Sequence, residues 1–143
     1  MELLLTDCAT LCCNNDLNLD IFKDFGKVTL CENATRKELL KKIKNTDILL
    51  CNKTVIDKEI MDAAENLKYI GLFATGYNNI DINYAKEKGI RVCNAGSYST
   101  SAVAQQVFAY ILAHFCKVSE YDGLVKGGKW VCSPTFSMLS FPT

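Results

Sequence analysis

Residues 67–81, with the sequence LKYIGLFATGYNNID, carry the clearest indication of the fold. The first part, Leu67 to Ala74, is a nearly continuous apolar run, which is typical of a strand buried on both faces of a parallel sheet. A loop with one glycine follows, and Asp81 supplies a side chain that can cap a new helix. The stretch therefore predicts a buried strand that ends in a polar loop and leads into a helix.

Short apolar runs alternate with helical stretches on both sides of this segment. Further strands are predicted at residues 3–6, 27–30, 47–51 and 90–93. The predicted helices between them cover residues 19–25, start after Thr35 and after Asp57, and run from Asp81 to a stop at Gly89. Thr35 and Glu38 have the spacing of a capping box. The order is β-α-β-α throughout the first hundred residues.

This alternation predicts an α/β fold. Parallel strands need crossover connections, and one helix in each gap favours an open parallel sheet of about five strands with helices on both faces. Ligands bind beyond the carboxyl ends of the strands in such sheets. The candidate binding segments are therefore residues 7–13, 51–54, 74–79 and 94–100.

Composition excludes several classes of protein. The 143 residues are 49% hydrophobic and 22% charged, and 16 basic residues balance 16 acidic ones, which argues against disorder and against a nucleic-acid partner. The chain has no long apolar run and no basic leader, so we expect a cytoplasmic protein without a membrane segment. Eight cysteines, several within apolar runs, are expected to be reduced thiols. One histidine and no Cys-x-x-Cys pair predict no metal site.

Residues 101–118 predict a long helix that is apolar nearly all round. Such a helix cannot face water on every side, so it must pack against another domain or against a second copy of the chain. We expect the chain to self-associate through Val107, Tyr110, Ile111 and Phe115. Residues 127–143 follow as a tail.

The loop at residues 74–79 is the favoured binding site. A strand end that leads toward a helix offers free backbone N–H groups, which suit a carboxylate. Gly76 either permits close approach of a ligand or serves only the chain reversal, and the sequence leaves both open. Four other residues are interpreted as structural. His114 is a packed helix residue, Asp7 is a polar residue that closes the first strand, and Cys12 and Cys13 are paired loop thiols for which a redox role is the weaker alternative.

Several motifs also resemble one family. They are GYNNID at 76–81, GI at 89–90, YST at 98–100 and VAQ at 103–105. Together they resemble the amino-terminal half of the D-isomer-specific 2-hydroxyacid dehydrogenases, with the glycerate dehydrogenase, or hydroxypyruvate reductase, subgroup as the most similar. The resemblance runs from the first strand to the end of the chain.

The resemblance implies a two-domain, NAD-dependent oxidoreductase that interconverts D-2-hydroxy acids and 2-oxo acids. Residues 1–100 would be a flavodoxin-like substrate domain, and residues 101–143 would be the interdomain and dimer-forming helix with a tail toward a nucleotide-binding domain that the chain lacks. Substrate would contact Asn52, Lys53, Thr75 and Gly76. Thr100 and Val103 would meet the nicotinamide end of NAD, which the absent domain would mainly hold.

The sequence also departs from the family pattern. The family's catalytic Arg, carboxylate and His are all expected beyond residue 143, so the chain alone is expected to be inactive. Gly96 stands where the family usually has Pro, Ala102 where it has Ser, and Gln105 where many members have Glu. The alternative function is a non-enzymatic binding or protein-interaction module on the same fold.

Overall fold

The structure, a computed structural model, describes residues 1–12 and 17–134. Within these residues, five strands form one sheet in the order β2-β1-β3-β4-β5, and all neighbouring pairs are parallel. The strands are β1 (Glu2–Leu5), β2 (Lys27–Leu30), β3 (Ile48–Cys51), β4 (Tyr69–Leu72) and β5 (Arg91–Cys93). The predicted parallel α/β sheet is confirmed, with several strands one to four residues shorter than predicted.

The same part of the chain contains six α-helices and three 3₁₀-helices. The α-helices are α1 (Arg36–Lys42), α2 (Lys58–Ala63), α3 (Ile82–Glu87), α4 (Thr100–Phe115), α5 (Val118–Lys126) and α6 (Lys129–Cys132). The 3₁₀-helices are Cys8–Thr10, Leu19–Phe25 and Ile43–Asn45. The predicted helix at residues 19–25 is therefore a 3₁₀-helix.

The two faces of the sheet are covered unequally. One face packs against α1, α2 and α3 through a large apolar cluster that includes Leu39, Ile60 and Ala85. The other face packs against the 3₁₀-helix Leu19–Phe25 through a smaller cluster around Leu3 and Leu5. Right-handed crossovers explain this division, because the chain moves one way from β1 to β2 and the opposite way through β3, β4 and β5.

The helix starts follow from local side-chain chemistry. Thr35 and Glu38 form the predicted capping box, in which each side chain accepts from the other residue's backbone N–H. Asp57 accepts from the Ile60 N–H, and Asp81 accepts from the Tyr84 N–H. These contacts satisfy N–H groups that a helix leaves without partners.

Strand β4 lies inside the sheet, as its apolar sequence predicts. Ile70 and Leu72 are buried on one face of the sheet, and Gly71 between them, which faces the other side, is buried as well. A methyl group on Gly71 would approach Leu50 Cδ2 to 2.7 Å, so the neighbouring strand needs the glycine's small volume. The loop after β4 therefore begins from a rigid position.

The described residues divide into two compact units, with the boundary between Tyr98 and Ser99. In the second unit, α4 ends at Phe115 rather than at residue 118, because Lys117 adopts a left-handed conformation with φ 49°. Helices α5 and α6 then form where the sequence predicted no further helix. No helix within the described ranges is long and apolar enough to cross a membrane.

Candidate functional site

A cavity of about 660 Å³ opens at the carboxyl edge of the sheet, beyond the ends of β3 and β4. Four residues predicted to bind substrate line it together: Asn52 and Lys53 after β3, and Thr75 and Gly76 after β4. The remaining lining residues are Val55, Phe73, Ala74, Asn78, Asn79 and Tyr98. Parallel strands bring these loops to one edge although they are distant in sequence.

Two backbone N–H groups are available in the loop after β4. The Ala95 N–H donates to the Ala74 carbonyl at 3.0 Å, and Asn94 Nδ2 donates to the Thr75 carbonyl at 2.7 Å. In a trans peptide the N–H points opposite to the carbonyl. The N–H groups of Thr75 and Gly76 therefore point away from Asn94 and Ala95, and they have no acceptor among the described residues.

Gly76 does not adopt the backbone conformation that requires glycine. Its φ lies outside the left-handed region, unlike that of Gly26, Gly89, Gly96 and Gly128. A Cβ atom there would meet only Asn78 Oδ1, at an ordinary contact distance of 3.5 Å. The chain reversal therefore does not need this glycine, which supports the alternative that Gly76 permits close approach of a ligand.

Lys53 brings positive charge to the cavity. Its side chain is exposed, and it forms no salt bridge with any carboxylate in the described part of the chain. Asn52 lies beside it and donates from Nδ2 to Thr10 Oγ1 at 2.8 Å. A free ammonium group and two free N–H groups around one cavity form an arrangement suited to a small carboxylate.

The sequence suggested only that Asp7 closes β1. In the structure its carboxylate also binds the loop after β3 at this edge of the sheet. Its Oδ2 accepts hydrogen bonds from three consecutive backbone N–H groups, those of Asn52, Lys53 and Thr54, at 2.9–3.0 Å. The Thr54 hydroxyl donates to the same oxygen at 2.7 Å. Asp7 thus holds the loop after β3 from the end of the neighbouring strand.

The Asp7 carboxylate is kept ionised by these donors. Burial alone would raise its pKa, but the hydrogen bonds from Asn52, Thr54 and Lys53 outweigh the effect of burial and lower the pKa below its ordinary value. Asp7 is only 8% exposed, and no described cation forms a salt bridge with it. Backbone dipoles and one hydroxyl therefore compensate the charge.

Two asparagine amides complete the support of the site. Asn79 Nδ2 donates to the Thr54 carbonyl at 2.7 Å and to the Asn52 carbonyl at 3.3 Å, so the loop after β3 is also held on its acceptor side. Asn94 holds the Thr75 carbonyl. The sequence did not single out these roles, although both asparagines lie in segments predicted to contain the ligand edge.

The remaining candidate residues that the structure describes are not among those that line this cavity. Thr100 and Val103 belong to α4 in the second unit, and His114 in the same helix makes an edge contact with the Phe115 ring. Cys12 donates to the Leu17 carbonyl at 3.3 Å, and Cys13 lies outside the described residues. No group of His, Cys, Asp and Glu that could hold a metal occurs within the described ranges.

Gly96 has a conformation that the family's usual proline cannot adopt. Its φ is 66°, whereas the pyrrolidine ring fixes φ near about −65°. The segment after β5 therefore takes a course in this chain that depends on glycine.

Known proteins match both the sequence and the fold. The family model for the D-isomer specific 2-hydroxyacid dehydrogenase catalytic domain matches residues 6–125. A hydroxypyruvate reductase from Blautia hydrogenotrophica is 36% identical over 106 residues, which cover 74% of this chain and 33% of that protein. A glyoxylate reductase from Thermofilum pendens is 41% identical over 97 residues, which cover 67% of this chain and 29% of that protein.

A solved structure shows the same likeness. An acyclic imino acid reductase in complex with NADPH and D-Arg matches with a TM-score of 0.74 and 26% identity, over 97% of this chain and 45% of that chain. The chain thus spans about a third of the length of the two curated relatives described above. On the family match, which covers most of its residues, the chain belongs to the D-isomer-specific 2-hydroxyacid dehydrogenase family and carries that family's catalytic-domain fold.

Proposed function

We propose that this chain is the substrate-binding part of an NAD-dependent oxidoreductase that interconverts D-2-hydroxy acids and 2-oxo acids of the glycerate, hydroxypyruvate or glyoxylate type. The observation that carries the proposal is the pair of free N–H groups at Thr75 and Gly76 over a cavity that Lys53 also lines. The names of the hydroxypyruvate and glyoxylate reductases support the choice of substrate class.

The proposed site binds the acid by its carboxylate. The Thr75 and Gly76 N–H groups donate to the carboxylate oxygens, and the Lys53 ammonium supplies the opposite charge. Asn52 lines the same cavity and offers a side-chain amide. These residues orient the substrate, and the groups that transfer the proton lie outside this chain.

NAD is the proposed cofactor, and residues of this chain are proposed to contact only its nicotinamide end. The sequence has no glycine-rich phosphate motif, and the pyrophosphate is proposed to be held by a nucleotide-binding domain outside residues 1–143. Thr100 and Val103 at the start of α4 are proposed to contact the nicotinamide, and Val103 is 60% exposed and apolar. When bound, NAD accepts or supplies the hydride. The proposed boundary places the substrate domain at residues 1–100 and the interdomain segment at 101–143.

Helix α4 is proposed to form a homodimer contact. Val107, Tyr110, Ile111 and Phe115 are between 45% and 69% exposed in the single chain. Monomeric proteins rarely expose a continuous apolar surface of this kind. The balanced charge of the sequence supports the proposal that the protein has no nucleic-acid partner. A cytoplasmic location without a membrane partner is the accompanying proposal for a sequence with no long apolar run.

A non-enzymatic interaction module is the second candidate, which the exposure of α4 favours. The two candidates differ in one property. The enzyme proposal requires the cavity to bind a small 2-oxo acid, whereas an interaction module does not depend on such binding.

Calorimetric titration with oxamate, an analogue of a 2-oxo acid, tests the proposed site. We expect saturable binding, weakened roughly 10- to 100-fold in Lys53→Met, because a charge-assisted contact contributes about 1.5–3 kcal/mol. Lys37→Met is the matched control, since Lys37 is an exposed lysine of α1 outside the cavity, and its affinity should equal that of the wild type. No binding by the wild type would reject the enzyme proposal and favour the module.

The size of the native protein tests the remainder of the proposal. Proteomics of the source should detect peptides on the far side of Thr143 and a species of roughly 300 residues, as expected for two domains. A native protein that ended at Thr143 would contradict the proposed nucleotide-binding domain.

A further inference from the structure

The crevice where this fold usually accepts a ligand holds a side chain of the protein itself. The chain order reverses at β1, because β2 lies on one side of it and β3 on the other. Ligands of open parallel sheets bind at such a point. Here Asp7, after β1, places its carboxylate against the N–H groups of Asn52, Lys53 and Thr54, after β3.

We propose that Asp7 is a positioning residue of the substrate site, a permanent internal anion that fixes the loop carrying Asn52 and Lys53 and leaves the Thr75–Gly76 N–H groups for the substrate. The proposal rests on the proposed function. Asp7 does not line the main cavity. It acts on the cavity through the backbone N–H groups of Asn52 and Lys53, which do line it.

The geometry requires a hydrogen-bond acceptor at this position, and a negatively charged acceptor is the strongest one. Three successive N–H groups that converge on one point form a cradle whose dipoles repel one another unless an acceptor lies between them. Asp7 Oδ2 is that acceptor, and the Thr54 hydroxyl adds a fourth hydrogen bond at 2.7 Å. Asn79 holds the carbonyl side of the same loop. Without Asp7 the loop keeps the contacts of Asn79 and the side-chain contacts of Asn52 with Thr10 and of Thr54 with Thr6, but the backbone N–H groups on either side of Lys53 lose their shared acceptor.

The place that Asp7 occupies is accessible to a small ion. Asp7 lines a second cavity of about 550 Å³, together with Thr35, Arg36 and Thr54. A formate ion has the size of the carboxylate that an Asp7→Ala substitution removes. It can enter by this route and occupy the same cradle.

Formate rescue of Asp7→Ala is therefore the test. In this variant we expect the amide resonances of Asn52, Lys53 and Thr54 to move and oxamate affinity to fall about tenfold, the loss that follows when support of a binding residue is removed. Added formate should return the loop amides toward their wild-type positions in a saturable way. It should also return the oxamate affinity toward that of the wild type measured at the same formate concentration, because formate competes with oxamate for the proposed carboxylate site in both proteins. In Asp7→Asn the same amides should move, but formate should leave them shifted because the amide group fills the space.

Asp47→Ala is the matched control. Asp47 also accepts a backbone hydrogen bond, from the Glu2 N–H at 2.8 Å, but it lies before β3 at the opposite edge of the sheet. Its removal should leave the amides of residues 52–54 and the oxamate affinity unchanged, with or without formate.

Two results separate the possible failures. If Asp7→Ala keeps wild-type loop amides and oxamate affinity, or if formate restores neither, Asp7 is not a positioning residue. If the wild type does not bind oxamate while formate still restores the loop amides of Asp7→Ala, the proposed function is wrong and the hold of Asp7 on the loop is supported.

Discussion

Gly76 differs from most glycines in turns because its backbone does not need the absence of a Cβ. The φ of Gly89, by contrast, is 71°, and this glycine has no described atom within 4 Å of a Cβ position. Gly89 therefore serves conformational freedom, whereas Gly76 is available for the proposed role of leaving room for a ligand.

We predict that Gly76→Ala changes the free energy of unfolding by less than about 0.5 kcal/mol but weakens oxamate binding, because the methyl group enters the cavity. Gly89→Ala should do the reverse, with a cost of about 1–2 kcal/mol from its left-handed backbone and unchanged binding. Urea denaturation and calorimetry measure the two properties. Equal oxamate affinity in Gly76→Ala and the wild type would contradict the assignment of Gly76.

Asp7 makes stability depend on pH in a predictable direction. Its folded-state pKa is lowered, mainly by donors that outweigh burial, so its contribution is complete above the unfolded pKa of about 4 and is lost as the pH falls through the folded value. We predict that the wild type exceeds Asp7→Asn in stability most clearly at pH 7, and that the difference narrows below pH 4. Urea denaturation at several pH values measures it. A difference independent of pH would show that the charge of Asp7 is not what stabilises the loop.

Asp7 also shows what the sequence could not reveal at a single residue. Each of its loop partners lies 45 to 47 positions away in the chain, so no local pattern connects them. The caps at Thr35, Asp57 and Asp81 involve residues three positions apart, and these were predicted correctly. Local hydrogen bonds are visible in sequence, whereas contacts between neighbouring strand ends depend on the strand order.

At the level of secondary-structure elements, the sequence predicted the strands, through their apolar runs, more reliably than it predicted the ends of the helices. Strand β4 was predicted from an uninterrupted apolar stretch, and its burial on both faces is confirmed. The end of α4 was not predicted correctly. The helix breaks near Lys117, which has a left-handed backbone conformation, and no glycine or proline at this position indicates the break. Helix α5 begins directly after this break and was missed with it, whereas α6 is a single turn of four residues that follows Gly128, whose φ is 71°.

The start of β2 depends on Gly26. Its φ is 146°, and a Cβ atom there would overlap the Met1 carbonyl oxygen, which accepts from the Lys27 N–H where β1 and β2 begin to pair. We predict that Gly26→Ala destabilises the protein by more than about 2 kcal/mol, because both the backbone conformation and the strand contact are disturbed. Thermal or urea denaturation measures the loss, with Gly89→Ala as the milder comparison. Equal losses in the two variants would contradict the predicted overlap.

For the whole molecule, the exposed face of α4 predicts association. We expect light scattering to give twice the 15.9 kDa mass of one chain, and Ile111→Glu to return the protein to a monomer, since it places a charge on the apolar face. Val131→Glu is the control, because Val131 is an exposed apolar residue of α6, outside α4, and is 83% exposed. A wild-type monomer at high concentration, or equal effects of both variants, would contradict a dimer through α4.

The position of a bound carboxylate on the sheet edge can be measured by following backbone amide resonances of the chain as oxamate is added. We predict large, saturable shifts at Thr75 and Gly76 and smaller ones at Asn52, Lys53 and Thr54, whose N–H groups already donate to Asp7. Saturable shifts confined to other residues, or none at all at Thr75 and Gly76, would contradict it.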